Sequence, residues 1–530
     1  MRHILYLLFG LTTIHVSAQN LKSGGVLKPE QAIMDIRHYT VALNVDPQQK
    51  TISGYTEIDL NLSKATDVLL FDLWHGLTIS TVSINGKKQN FTHTNDDLVK
   101  INLSKALPAE KIKVKIAYGG KPGVAERAPW IGGFQWEKDS KANPWISVSC
   151  QGEGAKIYFP CKDHPSDEPN EGADMIITVP KGLVVAAPGL LQKVTTKNDK
   201  STYHWKTKYT ISNYCLVFNA AKYNVVKRAY TTINGTKVPM EYYVLQENMD
   251  KAEKLLDLYV QSAKILEKYF GEYPWAKERI GLSETPHLGM EHQTNIAYGN
   301  KYRYDTLGDK HFDWLLHHEF GHEWWANKVT NKDWAHMWIQ EGICTFGDAM
   351  AIRELGGEEA YLQRMKSTAM HTQNKYPIVR GDEVDSDSAY HGDIYGKGAF
   401  FMHTLRYVIG DEIFFPTLKK LATDPQYTYD NFVTTDDVEK LFSIASGKNL
   451  KPLFDFYLRT TNKLEVLVKQ TGDKTYDLSL QNFDMLLPVE VTTSAGTQRM
   501  ELGKKPVKIT SDTQPVIDEK VYYLKRVILE

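Results

Sequence analysis

From Asp35 onward, apolar residues fall on alternate positions: Tyr39, Val41, Leu43 and Val45, then, past the polar Pro47-Gln48-Gln49, Ile58, Leu60 and Leu62. A period of two places these side chains on one face of an extended strand. The pattern resumes at Val82 and Ile84, breaks at Asn85-Gly86, a dipeptide suited to a tight hairpin, and returns at Ile112, Val114 and Ile116. Alternation cut by short polar turns predicts antiparallel sheet, so residues 25–225 read as an all-β, sandwich-like region. Past Asn234-Gly235 the period changes. Leu255, Leu256, Leu258, Tyr259, Ala263, Ile265 and Leu266 form a helical stripe between Met249 and Phe270, stopped by Gly271 and Pro274. Further helices are predicted at about 310–328, 337–352, 358–371, 397–409, 413–422 and 435–446, with a last one ending near Leu458. After Thr460 the alternation returns at Leu464, Val466, Val468, Tyr476, Leu478 and Leu480. The expected fold is therefore multidomain α+β: a β domain over 19–228, a mostly helical domain over 229–460 and a short C-terminal β-sandwich over 461–530.

The first eighteen residues stand apart from this scheme. Met1-Arg2-His3 is basic, Ile4 to Val16 is mostly apolar, and Val16-Ser17-Ala18 offers small residues before Gln19. That order predicts a secretory signal peptide over 1–18, too short to span a bilayer, and an exported protein, periplasmic or extracellular. No later stretch is apolar enough for a transmembrane helix. A net charge of −1 carries neither the basic footprint of a nucleic-acid binder nor that of a membrane-surface protein. Four cysteines, Cys150, Cys161, Cys215 and Cys344, are too few for a disulfide scaffold and form no Cys-x-x-Cys pair, although one bridge in the first domain stays open.

The chemistry concentrates in Trp314-Leu315-Leu316-His317-His318-Glu319-Phe320-Gly321-His322 and the later Trp338-Ile339-Gln340-Glu341-Gly342. On a helix, His318 and His322 project from one face about 40° apart, and two imidazoles so placed can hold one metal ion. Glu319, one step round, addresses a water on that ion but is badly angled to ligate it, which is the geometry of a general base. A hydrolytic zinc site needs three protein ligands and an open position, and Glu341, with eighteen residues between it and His322, is the expected third. Glu341 and Asp348, seven apart, share a helix face, so one carboxylate can bind metal while the other receives a ligand histidine's N–H. The competing reading is an amphipathic helix with Leu315, Leu316 and Phe320 as core and two histidines on its flank.

His318-Glu319-x-x-His322, eighteen residues and Glu341, with Asn327 to Trp334 and Trp338-x-x-Glu341-Gly342, resemble the zinc signature of the aminopeptidase N-type metallopeptidases, gluzincins whose clan includes leukotriene hydrolase-like enzymes. The resemblance implies a thermolysin-like catalytic domain and one Zn²⁺ per chain. It also gives roles to residues that are unremarkable alone. Gln151, in Gln151-Gly152-Glu153-Gly154-Ala155-Lys156, matches a residue that binds the substrate's free amine, with Lys156 where the motif ends in Arg. Leu288-Gly289-Met290-Glu291-His292 matches Gly-x-Met-Glu-Asn, an edge strand for substrate backbone in which Glu291 anchors the amine; Leu288 and His292 depart from it, and His292 is placed to orient Glu291 or shift substrate preference. Tyr395, in Tyr395-Gly396-Lys397-Gly398, matches the oxyanion stabiliser. The implied function is a secreted zinc aminopeptidase acting on peptides with a free N-terminus. The alternatives are a zinc endopeptidase or epoxide hydrolase on the same scaffold, and a non-catalytic peptide-binding protein.

Overall fold

The computed structural model describes residues 21–530; the expected signal peptide lies outside the described residues. The alternating stretches are strands with their apolar faces inward. Tyr39, Val41, Leu43, Ile58, Leu60, Val82, Ile112, Val114 and Ile116 are all buried, in an eight-stranded sheet ordered Leu190–Lys197, Lys200–Thr207, Ala173–Pro180, Met34–Asp46, Thr51–Leu62, Lys111–Gly120, Leu77–Ile84, Lys87–Gln89. Only Met34–Asp46 and Ala173–Pro180 pair in parallel within it. The Asn85-Gly86 turn takes positive φ at both residues, 47° and 80°, as a right-twisted two-residue hairpin requires. A three-stranded sheet, with Thr66–Asp72, Leu98–Leu107 and Phe91–His93, and a four-stranded one complete this β region. The four-stranded sheet contains Pro144–Ser149, whose end delivers the Gln151 loop.

The helical region opens on a five-stranded sheet ordered Asn224–Thr231, Lys237–Val244, Ile280–Glu284, Ile296–Tyr298, Gly289–Met290, so Gly289–Met290 is an edge strand. Its helices are Ala252–Phe270, Trp314–Gly321, Trp338–His371, the one-turn Ser386–Ala389, Asp393–Ile409, Asp411–Thr423, Thr435–Ser446 and Lys451–Leu458. Trp338–His371 is two helices joined at Gly357, whose φ of 85° only glycine adopts without strain. Thr434 and Asp437 form a reciprocal capping box before Thr435–Ser446.

The helix expected over 310–328 is shorter than its apolar pattern. Lys310–Phe312 pairs with Asp305–Leu307 as a hairpin, Asp313 caps the helix by accepting the Leu316 N–H at 3.1 Å, and the helix ends at Gly321. Beyond it the chain folds back through Ala326 at φ 149°. Asp313 also receives the Tyr298 hydroxyl at 2.6 Å and Asn300 Nδ2 at 2.9 Å, tying the helix start to the strand beside the Gly289–Met290 edge.

The C-terminal residues form two sheets, one with Leu464–Gly472, Thr475–Leu480, Val507–Thr510 and Lys525–Leu529, the other with Leu487–Thr493, Gly496–Leu502 and Val516–Ile517. All four cysteines are buried free thiols, which closes the question of a bridge in the first domain. No helix among the described residues is long and apolar enough to cross a membrane.

Candidate metal centre and substrate cleft

The short helix and the start of Trp338–His371 bring three donor atoms together. His318 Nε2 and His322 Nε2 lie 3.2 Å apart, and Glu341 Oε2 lies 3.4 Å from the first and 3.3 Å from the second. Each imidazole is oriented from behind: His318 Nδ1 donates to Asp348 Oδ2 at 2.9 Å, and His322 Nδ1 donates to the Trp325 carbonyl at 2.8 Å. With both Nδ1 atoms as donors, the neutral rings present lone pairs at Nε2, and two lone pairs 3.2 Å apart repel unless a cation lies between them. A tetrahedral ion with bonds of about 2.0–2.1 Å has donor–donor edges of about 3.3–3.4 Å, so the triangle found here fits zinc. Glu341 Oε2, buried without a hydrogen-bond partner among the described residues, belongs to the same triangle. Asp348 is the carboxylate behind His318, and Glu341 the one that faces the two Nε2 atoms. The fold-back after Gly321 has a purpose here, since it turns the Trp325 carbonyl towards His322.

Glu319 lies beside the triangle without being part of it, and burial pushes its carboxyl up to about 8. Its Oε1 packs against the edge strand: a Cβ added at Gly289 would lie 2.6 Å from it. Glycine at 289 thus leaves the Glu319 carboxylate its position.

The two residues matched to an amine anchor in the sequence also converge. Gln151 Nε2 donates to Glu291 Oε1 at 2.6 Å, and the Tyr214 hydroxyl donates to the same oxygen at 2.9 Å. Asn327 Nδ2 donates to the Glu291 carbonyl at 2.8 Å, fixing the backbone. Tyr214 carries no motif, and Asn327 opens a stretch that resembles the family but has no role assigned there; each meets Glu291 only in the fold, so neither was legible as a site residue. Glu323 was missed for the same reason: it receives Thr294 N–H at 2.9 Å, Trp275 Nε1 at 2.6 Å and Asn327 Nδ2 at 3.1 Å, and so holds the zinc-helix end against the Glu291 segment. His292 is buried beside these groups, yet neither ring nitrogen has a hydrogen-bond partner among the described residues; Gln151 and Tyr214 orient the Glu291 carboxylate instead.

Tyr395 stacks near His318, ring centroids 6.0 Å apart, and its hydroxyl lies 2.5 Å from that of Tyr390. Burial raises the Tyr395 phenol well above its ordinary range, so it keeps its proton as a donor. Lys156 forms a 2.9 Å ion pair with Asp163, so the lysine keeps the Gln151 loop anchored where the motif has arginine. His318, His322, Glu341, Glu319, Gln151, Glu291 and Tyr395 line one cavity of about 640 Å³, together with Glu153, Met290 and Tyr390. The volume suits a short peptide segment.

Comparison with known families agrees with this arrangement. The model for the peptidase family M1 domain matches residues 249–457, and that for the M1 N-terminal domain matches residues 36–215. The chain belongs to peptidase family M1. The M1 domain match contains the whole metal triangle and Glu291, and the N-terminal match contains Gln151 and Tyr214. Among curated proteins the chain is 24% identical over 463 residues to leucine aminopeptidase 2 of Yarrowia lipolytica, covering 81% of this chain and 65% of that one. It is 26% identical over 450 residues to leukotriene A-4 hydrolase of Xenopus laevis, covering 78% and 69% respectively. Of the length of the first curated relatives it spans 65% in the Yarrowia protein and 52% in aminopeptidase M1-B of Oryza sativa. The fold is shared with the crystal structure of an M1 zinc metallopeptidase from Deinococcus radiodurans, at TM-score 0.68 and 20% identity, over 83% of this chain and 96% of that one.

Proposed function

We propose that the protein is an exported zinc aminopeptidase that removes N-terminal residues from peptides. The observation that carries this reading is the buried Gln151–Glu291 pair opening into the same cavity as the His318, His322 and Glu341 donors. A carboxylate placed there matches an ammonium, and only a substrate with a free N-terminus brings one.

His318, His322 and Glu341 would hold the zinc, which when bound supplies Lewis acidity that lowers the pKa of water towards about 7 and polarises a carbonyl. Glu291 and Gln151 receive the substrate's ammonium and fix the first carbonyl in register. The edge strand Gly289–Met290 offers main-chain groups to the extended substrate. Glu319 accepts the proton of the attacking water as the new C–O bond forms, then passes it to the departing amine nitrogen as the C–N bond breaks. Tyr395 donates its hydroxyl proton to the hydrogen bond that stabilises the oxyanion, without transferring it.

A panel of aminoacyl-anilides set against an internally quenched, N-blocked peptide tests this reading. Anilide hydrolysis with little cleavage of the blocked peptide is expected; comparable internal cleavage would make the protein an endopeptidase, and inactivity on both would leave peptide binding or epoxide hydrolysis. Export is tested by N-terminal sequencing of the mature protein, expected to begin near Gln19.

A further inference from the structure

Residues Lys22 to Gly25 do not lie on the β region alone. They cross between the Gln151 loop and the segment that ends in Tyr390 and Tyr395. The Ser23 N–H is shared between the Gly152 carbonyl at 2.9 Å and Ser386 Oγ at 3.2 Å, and the Ser386 N–H returns to the Ser23 carbonyl at 3.0 Å. Ser386 Oγ itself donates to the Gly152 carbonyl at 2.5 Å. Both serines are buried, and they are 363 residues apart in the chain. Around them, Ser23 Oγ donates to Asp163 Oδ1 at 3.1 Å, the Gly25 N–H donates to the Val384 carbonyl at 3.1 Å, and Lys156 Nζ donates to the Lys22 carbonyl. Gly24, at φ 74°, lies so close to Trp334 that a Cβ would come within 2.5 Å of the indole, and Trp334 lines the cavity.

The contacts continue in both directions. Gly152 follows Gln151, whose amide holds Glu291. On the other side, the Ser386 carbonyl accepts the Tyr390 N–H at 2.9 Å, and the Tyr390 hydroxyl meets that of Tyr395 at 2.5 Å. An unbroken path of short contacts thus joins the group that takes the substrate's amine to the phenol that meets its carbonyl. In an extended substrate those two points are separated by one residue, so their spacing decides where the cut falls.

We propose that Ser386, held by Ser23, is a positioning residue that sets the spacing between the amine anchor and the Tyr395 phenol, making Lys22–Gly25 a working part of the cleft. This rests on the aminopeptidase reading above. The hydroxyl ties the Ser386 backbone, whose carbonyl holds Tyr390, to Gly152 and Ser23, so its loss loosens the register without touching the metal ligands or the base. A loosened register weakens the preference for a free amine more than it weakens binding of zinc or folding.

The test compares full-length wild type, Ser386→Ala, Ser386→Thr and Gly24→Ala on a matched peptide pair, one with a free and one with an acetylated N-terminus, together with zinc content and melting temperature. Ser386→Ala is expected to lower kcat/KM on the free peptide about 10-fold or more, to narrow the free-to-acetylated ratio, and to keep zinc content and melting temperature near wild type. Ser386→Thr, which keeps the hydroxyl, restores the ratio. Gly24→Ala, which forces Trp334 aside, reproduces the narrowed ratio from the other side of the strap. If wild type discriminates between the two peptides and both Ser386→Ala and Gly24→Ala discriminate equally well, the positioning role is overturned. If the ratio falls only in step with zinc loss or melting temperature, the serines are purely structural and the proposal is equally overturned. If wild type itself does not discriminate, it is the aminopeptidase reading that fails.

Discussion

Gln151 Nε2 donates to Glu291 Oε1 across 2.6 Å, joining two side chains 140 residues apart in the chain. A buried carboxylate already served by two donors is preorganised for a cation and costly to leave unpaired. Glu291→Ala is therefore expected to lower kcat/KM on free peptides by about 10²–10³-fold while leaving the slow cleavage of acetylated ones almost unchanged. Steady-state kinetics on a matched peptide pair checks this.

The donor triangle predicts about one zinc per chain by elemental analysis, with activity lost to chelators and partly restored by Co²⁺. Asp348→Asn leaves the three ligands in place but weakens the acceptor behind His318 Nδ1, so zinc affinity is expected to fall about 10–100-fold in a chelator competition.

Glu319→Gln keeps the shape and removes the base. Its zinc content is expected to match wild type while kcat falls about 10²–10⁴-fold, whereas a ligand role for Glu319 would show as zinc loss.

Gly289→Ala tests the base's position without changing its chemistry. The new methyl would lie 2.6 Å from Glu319 Oε1, so kcat is expected to drop at unchanged zinc content, and a variant with normal kcat would show that the carboxylate has room to move.

Stability should carry a pH signature from Glu168. Burial pushes its carboxyl from the ordinary 4.5 up to about 8, helped by Asp167 and opposed by the Thr210 hydroxyl. A folded value above the unfolded one means that the folded state binds the proton more tightly. The contribution is fully present below about 4.5 and is lost as pH rises through 8. Denaturant unfolding of wild type between these limits should show stability falling with pH, and Glu168→Gln should flatten the slope.

Much of the donor triangle was legible because helical spacing pairs residues on one face. His318 and His322 are four apart, and Glu341 and Asp348 seven apart, so a rule about one helix orders each pair. The β regions were legible because burial alternates on one face, as at Tyr39, Val41 and Leu43. What remained hidden depends on tertiary meetings with no local period. Tyr214 reaches Glu291 across 77 residues and Ser23 reaches Ser386 across 363, and nothing in either segment marks its partner. The early end of the zinc helix was hidden for another reason: apolar Trp324, Trp325 and Ala326 prolong the helical pattern, but all three are buried by the fold-back as well as they would be by a helix.

His318, His322, Glu341 and Asp348 all come from a single stretch of the helical region, whereas the proposed amine anchor is contributed by both regions, Gln151 and Tyr214 from one and Glu291 from the other. On the proposed function, metal binding and recognition of the free amine therefore draw on different parts of the chain. On that reading, substitutions near Gln151 and Tyr214 are expected to shift which peptides are accepted while zinc content stays that of wild type, so a library confined to those residues, screened for zinc content and kcat/KM together, is the economical route to altered preference.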